Sequence, residues 1–281
     1  MLDTSTKLTV LYYNGSTYTD YSNKFFEPAR EAQVIQVTDS DYIYVGFSKP
    51  INKLYLDLSV ANTTASTMTV EYYNDSVWAS VSNLYDDTRG CTRNGFIQWD
   101  YIDVNDVDKT TIDSKELFWY RISFSTTLHS TTSFNCFTMI FADDQDLKRE
   151  FISILDDSFF AESQASHFLV HVSTRDYIVQ QLRNKGYYKI DSSGYRVLLT
   201  AWDLFDNDEI RQAAVYFALS RIFESVSDNP EDHNQFMAEK YLGRGHDALK
   251  QVSNLSIDLD DDGFKDSGER LTKSKMARWS R

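Results

Sequence analysis

Leu54-Tyr-Leu-Asp-Leu-Ser-Val60 decides the reading of the N-terminal half. Leu54, Leu56, Leu58 and Val60 alternate with Tyr55, Asp57 and Ser59. Successive residues of a strand point to opposite faces, so this period of two predicts a half-buried strand. Further out, Phe118, Tyr120, Ile122 and Phe124 alternate with Trp119, Arg121 and Ser123, and Met68, Val70 and Tyr72 repeat the pattern. Phe134 to Phe141 is apolar on both faces, which suits a central strand. Shorter β-rich runs near 8–13, 32–38, 42–47, 76–82 and 95–99 are separated by turn-rich pieces such as Asn14-Gly15 and Asp86-Asp87-Thr88-Arg89-Gly90. Many short strands with frequent turns and no intervening helix predict an antiparallel β-sandwich over 1–142.

Near Asp143 the period becomes helical, from there to about 157 and again from about 161 to 185. Phe168, Val172, Val179 and Leu182 share one stripe, and Gly186 is placed to end that helix. Tyr187–Ile190 and Tyr195–Leu199 flank Asp191-Ser192-Ser193-Gly194 as a small hairpin. Asp206 with Glu209 three residues on predicts a capped third helix, whose stripe is Val215, Leu219, Ile222 and Val226. Asn229-Pro230 stops it and starts a fourth, with proline in the tolerated first position. That helix carries Met237, Tyr241, Ala248 and Val252, with Gly243 and Gly245 where another backbone can approach. The short link predicts an antiparallel helical pair. The fold class is therefore α+β, with a sandwich over 1–142, a helical bundle over 143–257, and a terminal piece over 258–281.

The terminal piece opens with Asp258-Leu-Asp-Asp-Asp-Gly-Phe-Lys-Asp-Ser-Gly-Glu269. Asp258, Asp260, Asp262, Asp266 and Glu269 fall at positions 1, 3, 5, 9 and 12 of a calcium loop, with Gly263 at the sharp turn. Phe264 would contribute its backbone carbonyl, Asp266 would act through a water, and Glu269 would bind with both oxygens. Calcium takes six to eight oxygens at about 2.3–2.6 Å, which this spacing provides. Lys265 stands at position 8, where paired loops carry an apolar residue, so the expectation is a lone structural site. From Arg270 the chain turns basic: Arg270, Lys273, Lys275, Arg278 and Arg281, interleaved with Met276 and Trp279 and without an acid. Trp and Arg are typical interface anchors, and this arm is a candidate docking segment.

Lys and Arg number 28 against 42 Asp and Glu, a net charge of −14 over 281 residues. Such a surface repels phosphate backbones, so tight nucleic-acid binding is not expected. No signal peptide and no run approaching the ~18 apolar residues of a membrane span is evident. Cys91 and Cys136 are too few for a disulfide framework, and buried free thiols made in a reducing cytoplasm are expected. No phosphate-binding glycine loop and no Gly-x-Ser-x-Gly elbow occurs. His167 and His171 have the spacing of a zinc pair, but Phe168 replaces the metalloprotease glutamate and no cysteine is near. They are expected to be an ordinary half-buried pair, and no catalysis is expected.

Glu209-Ile-Arg-Gln-Ala-Ala-Val-Tyr-Phe-Ala-Leu-Ser-Arg-Ile-Phe-Glu-Ser-Val-Ser-Asp228, followed by Pro230-Glu-Asp and Ala238-Glu-Lys-Tyr241, resembles the helical core of tailed-bacteriophage head-to-tail connector (adaptor, neck) proteins. Asp41-Tyr-Ile-Tyr-Val-Gly-Phe-Ser-Lys-Pro50, with Val70-Glu-Tyr-Tyr73, Trp78, Gly95-Phe-Ile-Gln-Trp99 and Phe118-Trp-Tyr-Arg121, resembles a β-sandwich module of phage structural proteins. The resemblance implies a non-enzymatic virion protein that forms a ring, twelve-fold in that family, beneath the portal. It implies portal and tail or nozzle proteins as partners, a basic C-terminal arm docking on the portal, and DNA passing through without specific binding. No membrane partner is expected. An alternative is a carbohydrate- or receptor-binding tail protein that uses Tyr73, Trp78, Trp99 and Trp119 as stacking platforms, with a calcium-stabilised turn.

Overall fold

The computed structural model describes residues 8–25, 32–103, 105–160, 166–190, 193–204, 208–229, 231–252, 254–258, 264 and 270–272. The chain divides into two compact units, Met1–Met139 and Ile140–Arg281. It is an α+β protein in which every strand pairing is antiparallel.

The first unit contains β1 (Thr9–Tyr13), β2 (Tyr18–Asp20), β3 (Gln33–Val34), β4 (Tyr42–Phe47), β5 (Lys53–Val60) and β6 (Met68–Asn74). It continues with β7 (Val77–Ser80), β8 (Tyr85–Asp86), β9 (Gly95–Gln98), β10 (Lys109–Ile112), β11 (Lys115–Phe124) and β12 (Ser133–Thr138). One sheet runs β2-β1-β4-β11-β6-β7, with β10 also paired to β11; the other runs β3-β12-β5-β9-β8. Two hairpins of the first sheet turn on Asp-Ser pairs, Asp75-Ser76 and Asp113-Ser114, with all four residues at positive φ. That is the twist a two-residue hairpin needs, usually supplied by Asn-Gly, which is why these turns were not legible as hairpins.

The two sheets are compatible with the expected sandwich, and aromatic side chains join them. Tyr120 is fully buried, accepts a hydrogen bond from the Ile51 backbone at 3.0 Å and lies 5.1 Å from the Trp99 ring. Phe25 packs on Phe134 and Phe137 of β12. The half-buried reading of Leu54–Val60 is corrected. Lys53 through Leu58 are buried on both faces, Tyr55 and Asp57 included, whereas Val60 is exposed. Asp57 tolerates burial because its two oxygens accept from the amides of Asn94 and Asn135 at 2.7 and 3.1 Å. Cys91 and Cys136 are buried thiols.

The second unit carries α1 (Asp144–Glu150), α2 (Phe168–Asn184), the short strands β13 (Lys189–Ile190) and β14 (Arg196–Val197), α3 (Asp208–Ser225) and α4 (His233–Gln251). The helix expected from 143 to 157 ends instead at Glu150. Phe151 is extended, and its rings-in-contact with Phe159 and Phe223 draw it out of helical register. Asp143 caps α1, its carboxylate accepting from the Asp146 backbone while Asp146 answers in kind. The fourth helix begins at His233 and not at Pro230, with Asp232 accepting from the Gln235 backbone at 2.7 Å. Pro230 and the Asp206 cap lie outside the described residues.

Helices α3 and α4 pack along their length, Val215, Leu219 and Ile222 being buried with Met237 and Tyr241. Of the two glycines expected at a close approach, only Gly245 is at one. A Cβ there would sit 2.7 Å from the Phe217 ring, whereas one at Gly243 meets nothing within 4 Å. Gly245→Ala should therefore cost about 1–3 kcal/mol by overpacking. Gly243→Ala should stabilise by roughly 0.5–1 kcal/mol through helix propensity. Urea denaturation of the two variants checks the opposite signs.

After α4 the chain forms β15 (Asn254–Ser256), which pairs with β16 (Arg270–Thr272). Ile257 bridges Leu204, and the Asp258 backbone donates to the Asp203 carbonyl at 2.9 Å. Of residues 258–269, Asp258 and Phe264 are described. Arg270, expected to open the docking arm, lies in a paired strand.

Candidate functional site

The polar-register residues of the seven-stranded sheet assemble a face opposite Tyr120. One row crosses six strands in register: Asp20, Leu11, Tyr44, Arg121, Glu71 and Ser80. Beside it Tyr13 pairs with both Tyr18 and Tyr42, and Tyr73 pairs with Trp78. The rings interlock largely edge to face, Tyr44 lying 5.7 Å from Tyr18, 5.5 Å from Trp78 and 6.4 Å from Trp119. Such tilted contacts place positive ring edges on negative faces.

Arg121 sits at the centre. Its guanidinium lies 4.6 Å from the Tyr42 ring and 4.7 Å from that of Trp78, and its Nε donates to Glu71 Oε2 at 2.6 Å. Both charged side chains remain about 19% accessible, so the pair still reaches solvent. Burial pushes the Tyr44 hydroxyl up to about 12.

Of the four expected stacking residues, two are excluded. Trp119 is wholly buried: its Nε1 donates to the Thr110 carbonyl at 3.0 Å, and its indole lies where a side chain on Gly46 would be, 2.7 Å from that ideal Cβ. Trp99 is 2% exposed against Tyr120. Tyr73 and Trp78 are half-buried on the face, joined by Tyr13, Tyr18 and Tyr42. The alternation of Tyr42 and Tyr44 with Ile43 and Val45 carried the signal for two more members, and Arg121 stood in the polar register of β11.

Among the expected calcium ligands, Asp258 and Phe264 are described, Asp258 fully buried and Phe264 half-buried. Asp260, Asp262, Asp266 and Glu269 lie outside the described residues, as do Lys273, Lys275, Met276, Arg278, Trp279 and Arg281. No cluster of three or more metal-ligating side chains occurs among the described residues. The β15–β16 pairing joins the segments that flank the acidic run, Ser256 standing opposite Arg270.

The histidine pair is buried more deeply than expected, each residue being 3% exposed. His171 Nε2 meets Asp144 Oδ1 at 2.9 Å, and His167 stacks on Phe160 with its Nε2 donating to the Ile154 carbonyl at 3.0 Å. Burial lowers the His167 pKa from the ordinary 6.5. Burial raises that of Asp144, but His171 and the backbone of His167 outweigh it, and the net shift is downward. Both groups bind a proton more readily when unfolded, so both contribute stability that is lost as pH falls. The second unit's melting temperature should therefore drop as pH falls from 7 to 5, as His167 resists protonation, and again below about 4. His167→Gln should flatten the first step and leave the second; calorimetry across that range reads it.

No family model matches the chain, and no curated protein matches it. Among solved structures it is similar to the chitosan-binding module 1 of a chitosanase/glucanase from Paenibacillus sp. IK-5, at 19% identity and a TM-score of 0.27. The match covers 46% of this chain and 89% of that one. No described helix is long and apolar enough to cross a membrane.

Proposed function

We propose that this chain is a non-enzymatic structural protein of the tailed-phage virion neck, a head-to-tail adaptor that joins the portal to the tail. The observation that carries the reading is the long antiparallel pair α3–α4, leading within two residues into a strand hairpin whose connection is the acidic run. The connector resemblance rests on the sequence of that helical pair and on its running into an Asp-rich turn. On this reading the first unit is a β-sandwich module and the helical unit packs into a homo-oligomeric ring, twelve-fold by resemblance, since a helical unit can present different faces to two neighbours. The charge of −14 suits a wall that DNA passes without sticking.

Calcium belongs to the same proposal. Asp258, Asp260, Asp262, Asp266 and Glu269, with the Phe264 carbonyl, would hold the ion, relieve the crowding of these acids and set the direction in which the basic arm beyond Thr272 leaves for the portal. Glu269→Gln should weaken calcium binding and lower the melting temperature only when calcium is present; equal shifts with and without the ion would retire the site. At a hundredfold excess over the dissociation constant the wild-type gain is roughly 2.7 kcal/mol. Negative-stain imaging of the protein with its phage's portal ring, in calcium and in chelator, tests the adaptor role. Added density below the portal supports it, and a bare portal in both conditions rejects it.

A further inference from the structure

We propose that the aromatic face around Arg121 is a binding site for a neutral carbohydrate chain. The inference does not depend on the adaptor reading. Six paired strands at about 4.8 Å spacing span roughly 24 Å, and along that span Leu11, Tyr44 and Trp119 are buried beneath rings that stay part-exposed. Tyr13, Tyr18, Tyr42, Tyr73 and Trp78 each offer part of a ring to the C–H face of a sugar, and the tyrosines add hydroxyls at the ring edges. The Arg121–Glu71 pair supplies what stacking lacks, which is direction. A fork of N–H donors and a carboxylate acceptor lie side by side, fixed between Tyr42 and Trp78, and a vicinal pair of sugar hydroxyls can use both. Few fixed polar groups among rings is the composition of a small-molecule subsite.

Charge and area select this occupant over others. The chain's net charge of −14 repels anionic polymers, whereas an uncharged glycan meets no such barrier. A protein partner needs about 800 Å² of surface a side. Here the rings are wedged into one another, and Tyr18, the most open of them, is 39% exposed. That leaves separate part-exposed rings with hydroxyls between them and no single broad apolar plane.

The test is an array of neutral oligosaccharides probed with the full chain, followed by calorimetric titration of the best binder into variants. Wild type should bind at least one neutral glycan class, and Trp78→Ala should weaken it by roughly tenfold or more, about 1.4 kcal/mol. Glu71→Gln, which keeps the ring scaffold, should weaken it several-fold. Tyr85→Ala, an exposed ring on the other sheet, should change nothing. No binding to any neutral glycan at millimolar concentration overturns the proposal, as does affinity indifferent to both Trp78→Ala and Glu71→Gln. Self-association broken by Trp78→Ala, with no glycan bound, would assign the face to a second copy of the chain instead. Portal imaging is blind to glycan binding, so the two proposals fail separately.

Discussion

Gly90→Ala should cost the N-terminal unit about 2–5 kcal/mol, the sum of ~1–2 for a left-handed L-residue and ~1–3 for overpacking. Gly90 has φ +68°, between Arg89 at 53° and Cys91 at 65°. An added Cβ would stand 2.1 Å from the Ser66 carbonyl oxygen, and a backbone carbonyl cannot swing aside as a side-chain tip can. The loop is also held on every side. Asp86 Oδ2 accepts from the Gly90 N–H at 2.8 Å, the Asn62 amide donates to the Gly90 carbonyl at 2.9 Å, and the Asn62 backbone donates to the Cys91 carbonyl at 2.8 Å. Moving Gly90 therefore strains Asn62, whose Oδ1 also receives the N–H groups of Thr64 and His129. Gly15→Ala is the control: its φ is +84° but nothing lies within 4 Å, so only the conformational cost of about 1–2 kcal/mol remains. Hydrogen exchange of β5 and β11 peptides in urea would read both. Equal losses would mean that the Ser66 contact relaxes freely.

Lys189→Met is expected to destabilise the second unit by about 3–5 kcal/mol, because it removes the buried cation beside a buried carboxylate. Lys189 Nζ lies 3.0 Å from Asp203 Oδ1, with the two side chains 7% and 1% accessible. Asp203 Oδ2 accepts from the backbone and hydroxyl of Thr200 at 2.6 and 2.7 Å, so the carboxylate cannot turn out to water without breaking its own turn. The damage should spread along one route. Asp203 receives the Asp258 N–H on its carbonyl, and Leu204 bridges Ile257, so the start of the acidic hairpin hangs on this turn. Loss of exchange protection at 254–258 in Lys189→Met, beyond that in a core variant of matched stability, is the expected signature. A loss under about 1 kcal/mol would mean that the pair contributes little beyond its own desolvation.

Helix and strand content was legible because periodicity is local. Leu54–Val60 and Phe118–Phe124 announce strands from side-chain alternation alone, and the stripes of α2, α3 and α4 do the same at helical spacing. Boundaries were less legible where a tertiary contact competes. Phe151 leaves the helix for an aromatic contact with Phe223, more than seventy residues away in sequence, which no local signal announces.

The candidate site was half visible. Tyr73 and Trp78 were named as surface rings and lie on the face. Trp119, in the same register, is buried, because Gly46 on the neighbouring strand leaves a space that the indole fills. Arg121 read only as an alternating position of a strand, and the structure places its guanidinium against two rings drawn from β4 and β7.

The sequence by itself determined the α+β class, the order of strands before helices, the strongly acidic surface and the spacing of the carboxylates at 258–269, since each is a property of composition or of neighbours along the chain. Only the tertiary structure decided which alternating residues meet solvent, which glycine touches a ring, and that Lys189 neutralises Asp203. Those depend on what a different strand or helix places overhead, and in a close-packed interior a single missing side chain on a neighbour decides whether an aromatic ring is surface or core.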